Sequence, residues 1–394
     1  RVVPVDFEPA AYLIYTKGNV VFRVEFYASD IVRIQAAKDA KFDDPLNDPT
    51  AAQILVEDMP VLRERVNCQL TPEQVVWTTG AAKLVLDRAA GTFALYDNEG
   101  KELWKETAQL AITKAGTTQK LTSHADEFYY GCGQQQGHFS HKGSKRVIAA
   151  TGWNENQAAN PAPFYMSNRG YAVLRHTFAT GEYDFTNENT IETKHNESRF
   201  DAFYFVGKTF PRMIDLYTRV TGRPNFIPIW GFELGDADAY MTRDPKTKEP
   251  KLDADGKFVE LTPYSLERVA EKYREHDMPG GWMLVNDGYG CNYTQLPHVV
   301  KSLGELGFET GLWTEGALVR MGWEVGTAGT RVQKLDVAWS SDTNKTTRDN
   351  KLSPVQHALE CNKIAWDGIT KNSDSRALTW TVLGWAGTQR YAVC

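Results

Sequence analysis

Cysteine is scarce and scattered. The five residues Cys68, Cys132, Cys291, Cys361 and Cys394 form no CxxC pair, which argues against a structural zinc site. An odd number also leaves at least one thiol outside any intrachain disulfide. His138, His141, His176 and His195 make no HxH or HExxH pair, so a metal would need ligands from distant segments. There is no GxSxG elbow, and Cys291 has no papain-like context, which leaves acyl transfer little support. No Lys/Arg block occurs and the net charge is -6, which excludes the positive footprint of a nucleic-acid partner. No stretch approaches the roughly 18 apolar residues of a membrane span. Gly131-Cys-Gly-Gln-Gln-Gln-Gly137 looks like a phosphate loop, yet it lies in a β region with no helix after it. It reads as a turn on the substrate side, and no cofactor or metal is expected.

What the 394 residues do contain is aromatic side chains, with 11 Trp and 17 Tyr, and acids at regular places. From residue 1 to 227, short alternating or β-branched runs are separated by Gly, Asn and Asp. They are Val20–Tyr27, Ile31–Gln35, Gln74–Thr78, Ala82–Leu86, Thr92–Tyr96, Tyr171–His176 and Ala202–Val206. Such spacing predicts an antiparallel β-sandwich, here with a long loop over Gly137–Pro163. Phe210–Val220 has helical spacing, stopped by Gly222 and Pro224. The two prolines of Arg223–Pro228 mark a domain boundary.

From 228 to 394 strands and helices alternate. The strands are expected at Ile229–Leu234, Gly281–Val285, Phe308–Trp313, Val332–Leu335 and Ala377–Leu383. Helices are expected at Pro263–His276, Gln295–Leu306, Ala317–Val325 and Pro354–Thr370. This rhythm demands parallel pairing and fits the first part of a (β/α)8 TIM barrel, so the fold class is multidomain, β followed by α/β. Barrel enzymes place their chemistry at the C-terminal strand ends. Asp236 or Asp238, Asp287, Glu315 and Asp336 all fall there in this reading. One such acid is more often a helix cap, whereas acids in phase on successive strands favour chemistry. Carboxylates beside aromatics suit glycosidic cleavage, where one carboxyl protonates the leaving oxygen and another attacks or activates water. Asp336 is the best candidate nucleophile.

Six motifs carry a resemblance: Phe128-Tyr-Tyr-Gly-Cys-Gly-Gln134, Asp201-Ala-Phe-Tyr-Phe-Val-Gly207, Tyr217-Thr-Arg-Val-Thr-Gly-Arg-Pro224, Pro228-Ile-Trp230, Lys334-Leu-Asp-Val-Ala-Trp339 and Gly384-Trp-Ala-Gly-Thr-Gln-Arg-Tyr391. Their order is similar to that of glycoside hydrolase family 31, in particular a branch that includes enzymes acting on cycloalternan or isomaltosyl linkages and α-N-acetylgalactosaminidases. The resemblance implies a galactose-mutarotase-like sandwich over 1–227 and a catalytic barrel, incomplete here, over 228–394. It implies a retaining α-glycoside hydrolase acting on terminal α-linked sugars of oligosaccharides or glycans. Asp336 matches the nucleophile and Asp287 the acid that binds sugar hydroxyls. Asp236 or Asp238, Trp313, Glu315, Trp339 and Trp385 are assigned to substrate by position on the barrel.

The sequence departs from the family pattern in two places. Lys334-Leu-Asp-Val stands where the usual WxDMNE lies, and Val382 stands where an arginine is common. The family's acid/base belongs to a W-x-G-D motif that these residues do not contain, so the expected partner is a further C-terminal part of the same protein and the isolated 394 residues are expected to be inactive. An inactive glycosidase-derived structural or glycan-binding component and an α-transglycosylase remain as alternatives. The chain opens at Arg1, and the sequons at Asn196, Asn292 and Asn344 are compatible with export, so a secreted or extracytoplasmic location is expected.

Overall fold

The computed structural model describes residues 2–5, 10–16, 18–239, 253–255, 266–285, 296–313, 318–335 and 352–394. The chain divides into two units. The first comprises Arg1–Pro49, Gln53–Arg223 and Trp385–Gly387; the second comprises Thr50–Ala52, Pro224–Gly384 and Thr388–Cys394. The division at Arg223 and Pro224 lies slightly upstream of the expected boundary.

The regular structure of the first unit is strands followed by one helix. An eight-stranded sheet runs in the order Val2–Val5, Ala10–Tyr15, Val20–Ala28, Ile31–Lys38, Arg199–Val206, Tyr171–Arg175, Ala158–Ser167, Tyr129–Gln135, every described pairing antiparallel. One five-stranded sheet is the meander from Asn67–Leu70 to Glu102–Lys105; another pairs Thr117–Thr122, Thr190–His195, Gly181–Asp184 and Lys145–Ile148, with Ala111–Ile112 at its edge. Alternation positions these strands: in Ala82–Asp87 every second residue is buried, as a half-covered sheet requires. Arg199–Val206 is buried at every position because it is central and covered on both faces.

The expected loop over Gly137–Pro163 is corrected, since Lys145–Ile148 and the start of Ala158–Ser167 are strands within it. The first is a short edge strand with Lys145 and Val147 outward. The second carries Pro161 opposite Gly133 at a bulge, where a missing N–H breaks no ladder. The same bulge explains the Gly131-Cys-Gly triplet. Gly133 has φ +75°, and a Cβ there would meet the Asn160 carbonyl oxygen at 2.0 Å. The helix Phe210–Thr221 starts at Thr209, whose hydroxyl accepts from the Arg212 N–H, and stops at Gly222 with φ +92°.

The second unit contains a five-stranded sheet in chain order: Gly235–Ala239, Trp282–Val285, Glu309–Trp313, Val332–Leu335 and Leu378–Thr381, all parallel. Helices Leu266–Glu275, Leu296–Glu305 and Pro354–Asn372 and a π-helix at Gly322–Thr327 follow successive strands. The architecture is therefore a β-sandwich followed by the first part of a (β/α)8 barrel. Met283, Val285 and Leu312 point outward and pack on Leu266, Ala270, Leu296 and Val299. Leu335 packs outward on Cys361, Ala365 and Ile369. The residues between them, Leu284, Val332 and Leu378, form an inner core with Ile227.

Two expected elements move. Ile229–Phe232 is a 3-10 turn, with Ile229 and Phe232 exposed, and the first strand is Gly235–Ala239 instead of Ile229–Leu234. Gly235 is required there, because a Cβ would meet the Trp282 ring at 2.0 Å. The expected helix Ala317–Val325 is shifted: it is a π-helix over Gly322–Thr327, preceded by Leu318 at φ +51°. Among the described residues Cys68, Cys132, Cys361 and Cys394 are free thiols. Also among them, no helix is long and apolar enough to cross a membrane.

Candidate active site

The inward positions of the parallel sheet stack in layers, because neighbouring parallel strands in register point equivalent side chains to the same side. One layer is Leu284, Gly311, Val332 and Leu378. It is closed by apolar contact: a Cβ on Gly311 would meet Val332 Cβ at 2.7 Å and Leu284 Cδ1 at 3.0 Å. Towards the C-terminal strand ends the next layer is Trp313, Lys334 and Trp380, again in register. Trp380 also meets Trp282 edge-on, ring centroids 6.2 Å apart.

Lys334 is 8% exposed. Its Nζ lies 3.2 Å from the Trp313 ring centroid and 4.8 Å from that of Trp380. Two aromatic faces thus hold a buried ammonium at the last inward position of the fourth strand. Lys334 and Trp380 were not among the residues singled out from sequence. The signal was there in the alternation, since Val332 and Lys334 share a parity that places both inside.

The predicted acids divide sharply. Asp287, Glu315 and Asp336, with Trp339, lie outside the described residues; Asp336 directly follows the strand Val332–Leu335. Of Asp238 only the backbone, on the first strand, is described. Asp236 is corrected: it is level with Met283 near the start of the first strand, not at its C-terminal end. It faces outward, where the Tyr273 hydroxyl donates to Oδ2 at 3.0 Å. Burial, with the Asp236 carboxylate adding to it, raises the Tyr273 phenol pKa. Asp236 therefore fastens a strand to the following helix. Trp385 also differs from its expected place on the substrate: it is 3% exposed and its indole N–H donates to the Thr177 carbonyl at 2.9 Å. Trp313 lies on the inner side of the sheet, with one face taken by Lys334.

A second group of charges lies in the first unit. Asp201 accepts from Arg33 Nη2 at 2.7 Å, Arg33 Nε at 2.9 Å, Gln35 Nε2 at 3.0 Å and Arg199 Nη1 at 3.1 Å. Although burial opposes it, the Arg33 guanidinium and His176 hold the Asp201 carboxyl well below the usual range. Arg199 also pairs with Asp44 at 3.0 Å and Glu197 at 3.2 Å. Every anion here has a guanidinium partner, which marks a structural network that braces the central strand. Among the described residues no group of three or more His, Cys, Asp or Glu is placed to hold a metal ion.

Residues 21–184 match the glycosyl hydrolase 31 N-terminal galactose mutarotase-like domain. In this domain the chain is similar to glycoside hydrolase family 31. The chain is 28% identical over 231 residues to α-glucosidase 2 of Bacillus thermoamyloliquefaciens, a match that covers 53% of the chain and 27% of that enzyme. Its fold is similar to a Flavobacterium johnsoniae GH31 dextranase complexed with isomaltotriose, with TM-score 0.78, 14% identity, and coverage of 100% of this chain and 56% of the dextranase. It is likewise similar to a cycloalternan-forming enzyme from Listeria monocytogenes in complex with a pentasaccharide substrate, with TM-score 0.74, 12% identity, and coverage of 99% and 45%. The chain thus spans about half, or less, of the length of these relatives.

Proposed function

We propose that the chain is part of a retaining α-glycoside hydrolase that removes terminal α-linked sugars from oligosaccharides or glycans, with Asp336 as the nucleophile. The observation that carries this reading is the Trp313, Lys334 and Trp380 layer. It sits at the C-terminal strand ends, where barrels of this type do their chemistry, and Asp336 is two residues beyond Lys334 in the chain. The match of residues 21–184 to the glycosyl hydrolase 31 N-terminal domain supports the reaction class, and the isomaltotriose and pentasaccharide bound by the two similar structures support an oligosaccharide as substrate.

In this mechanism the Asp336 carboxylate attacks the anomeric carbon as a second carboxyl protonates the leaving oxygen. The glycosyl-enzyme formed is then hydrolysed with net retention. Asp287 and Glu315 are proposed to bind sugar hydroxyls, and Trp339 to cover an apolar sugar face. The reading also includes export, which the exposed Asn196 permits, since Asn196 lies on the turn before Arg199–Val206 in an Asn-Glu-Ser sequon. Secretion of the protein by its native host tests that part.

The reaction is tested with the protein in its full natural length and a panel of α-linked di- and trisaccharides. Hydrolysis with retention at the anomeric carbon, followed by NMR and lost in Asp336→Asn, is expected. Binding of the same sugars without turnover would instead favour a glycan-binding protein derived from a glycosidase.

A further inference from the structure

A cavity of about 470 Å³ opens in the first unit where three turns meet. One turn follows the strand Thr92–Asp97, another follows Ala158–Ser167, and the third leads from Arg199–Val206 into the helix Phe210–Thr221. Hydrogen bonds fix all three. Asp97 Oδ1 accepts from the N–H groups of Glu99 and Lys101, each at 2.9 Å. The Gly170 N–H donates to the Ser167 carbonyl at 3.1 Å, and the Gly207 N–H donates to the Gly170 carbonyl at 3.0 Å. The walls are therefore built before any ligand arrives.

Leu103 and Val206 supply apolar lining, and no aromatic ring lines the cavity, so a nucleobase or a stacked pyranose has no platform. Charge decides what it can take. Four cations, Lys101, Arg169, Lys208 and Arg212, line it with two acids, Asp97 and Glu99. Arg212 pairs with Asp30 and Asp215, Lys208 pairs with Glu99, and Asp97 is engaged by its own turn. Lys101 and Arg169 remain. Lys101 Nζ donates to the Arg169 carbonyl at 2.9 Å and Arg169 Nη2 to the Glu102 carbonyl at 2.7 Å, and neither side chain joins an ion pair among the described residues. Arg169 Nε is in addition buried and donates to no acceptor among the described residues. The acid Glu127 acts on Arg169 through space, but it is fully buried, accepts from Ser167 Oγ at 2.6 Å and does not line the cavity.

We infer that this cavity binds a small polyhydroxylated anion, a sugar phosphate or a sugar acid, with the charged group held by Lys101 and Arg169. Two adjacent cations bonded to backbone carbonyls keep further N–H groups for anionic oxygens, and such charge-assisted bonds are the strong ones. The volume is more than a bare phosphate fills and lies in the range of roughly 300–1,000 Å³ that encloses small organic ligands. The rim answers the hydroxyls. Asn98 Nδ2 donates to the Gly80 carbonyl at 3.3 Å, which leaves Oδ1 as an acceptor, and the exposed Glu99 and Lys208 pair offers both an acceptor and donors. All of these residues belong to the first unit, so the inference is independent of the role proposed for Asp336.

The test is calorimetric titration of the full-length protein with glucose 6-phosphate, glucuronate, glucose and inorganic phosphate, in wild type, Lys101→Glu and Arg169→Gln. At least one of the two acidic sugars is expected to bind, and which one does so distinguishes phosphate from carboxylate. Each substitution is expected to weaken that binding about tenfold or more, the loss of one charged hydrogen bond. Inorganic phosphate should compete, but bind more weakly. Binding of neither acidic sugar, or binding unchanged in Lys101→Glu, would overturn the inference. Displacement of the acidic sugar by an equal concentration of glucose would place it in a neutral-sugar site and overturn it too. Phosphate bound as tightly as the acidic sugar would refute the polyhydroxylated ligand. If Arg169→Gln does not fold, Lys101→Glu, at an exposed residue, carries the same expectation and the same refutation. None of these readings uses glycosidic turnover, so failure of the proposed function is a separate result.

Discussion

Arg33 and Asp201 grip one another on adjacent antiparallel strands, through Nη2 to Oδ2 at 2.7 Å and Nε to Oδ1 at 2.9 Å. The carboxylate is 1% exposed and also receives Arg199 and His176. Replacing it takes the main acceptor from Arg33, which keeps only a longer carboxylate contact to Glu25, and one of three carboxylates from Arg199, so Asp201→Asn is expected to cost roughly 3–5 kcal/mol. Lys120→Ala, which breaks the exposed cross-strand pair with Glu192, should cost less than about 1 kcal/mol. Chemical denaturation of the first unit's transition measures both. Because the folded pKa of Asp201 is depressed, its contribution is present above the ordinary aspartate range and is lost as pH falls towards the folded value. Wild type should therefore lose stability steeply below about pH 4, and Asp201→Asn less so.

Glu106 has the opposite signature. It is 4% exposed, accepts from Gln119 Nε2 and the Phe93 N–H, each at 2.8 Å, and burial pushes it up to about 7. Its folded value lies above the ordinary one near 4.5. The unfolded chain then releases this proton first, so the contribution is complete below about 4.5 and is lost as pH rises to about 7. The span corresponds to a decline on the order of 3 kcal/mol. Stability measured at both ends of that window should differ less in Glu106→Gln than in wild type; an identical difference would show that Glu106 titrates normally.

Gly311 is needed for space in the inner core. A methyl there would meet Val332 Cβ at 2.7 Å and Leu284 Cδ1 at 3.0 Å, both on strands that helices hold in place. Gly311→Ala is expected to destabilise the second unit by about 1–3 kcal/mol, read as an earlier transition in denaturant. A variant as stable as wild type would show that the layer can open.

Trp385 separates packing from recognition. Its indole donates to the Thr177 carbonyl at 2.9 Å, and the ring is buried. Trp385→Phe should therefore lose about 1 kcal/mol with that hydrogen bond while KM for an α-linked oligosaccharide stays within twofold, a range of about 0.4 kcal/mol. A large rise in KM at unchanged stability would return the residue to the substrate side.

These residues also show how far the fold could be read from the sequence. Val332–Leu335 and Gln74–Thr78 lie where alternation and β-branched residues placed them. Phe210–Thr221 was marked by its apolar spacing and its glycine stop. Gly235–Ala239 was hidden because its residues, Gly-Asp-Ala-Asp-Ala, have weak strand preference and are held by the strand beside them. The apolar run before it reads as a strand but is a 3-10 turn, so Asp236 lies near a strand start instead of a strand end. Lys334 is hard to read from sequence for a similar reason: a lysine reads as surface until its neighbours on adjacent strands are known to be tryptophans.

The central claim is that Asp336 forms a covalent glycosyl-enzyme, and trapping tests it most directly. The full-length protein is incubated with a 5-fluoro-α-glycosyl fluoride of a sugar it hydrolyses, digested, and the labelled peptide sequenced by mass spectrometry. The account predicts one sugar on the peptide containing Lys334-Leu-Asp-Val, attached to Asp336. Label on a different carboxylate, or turnover with inversion and no labelled peptide, would contradict it.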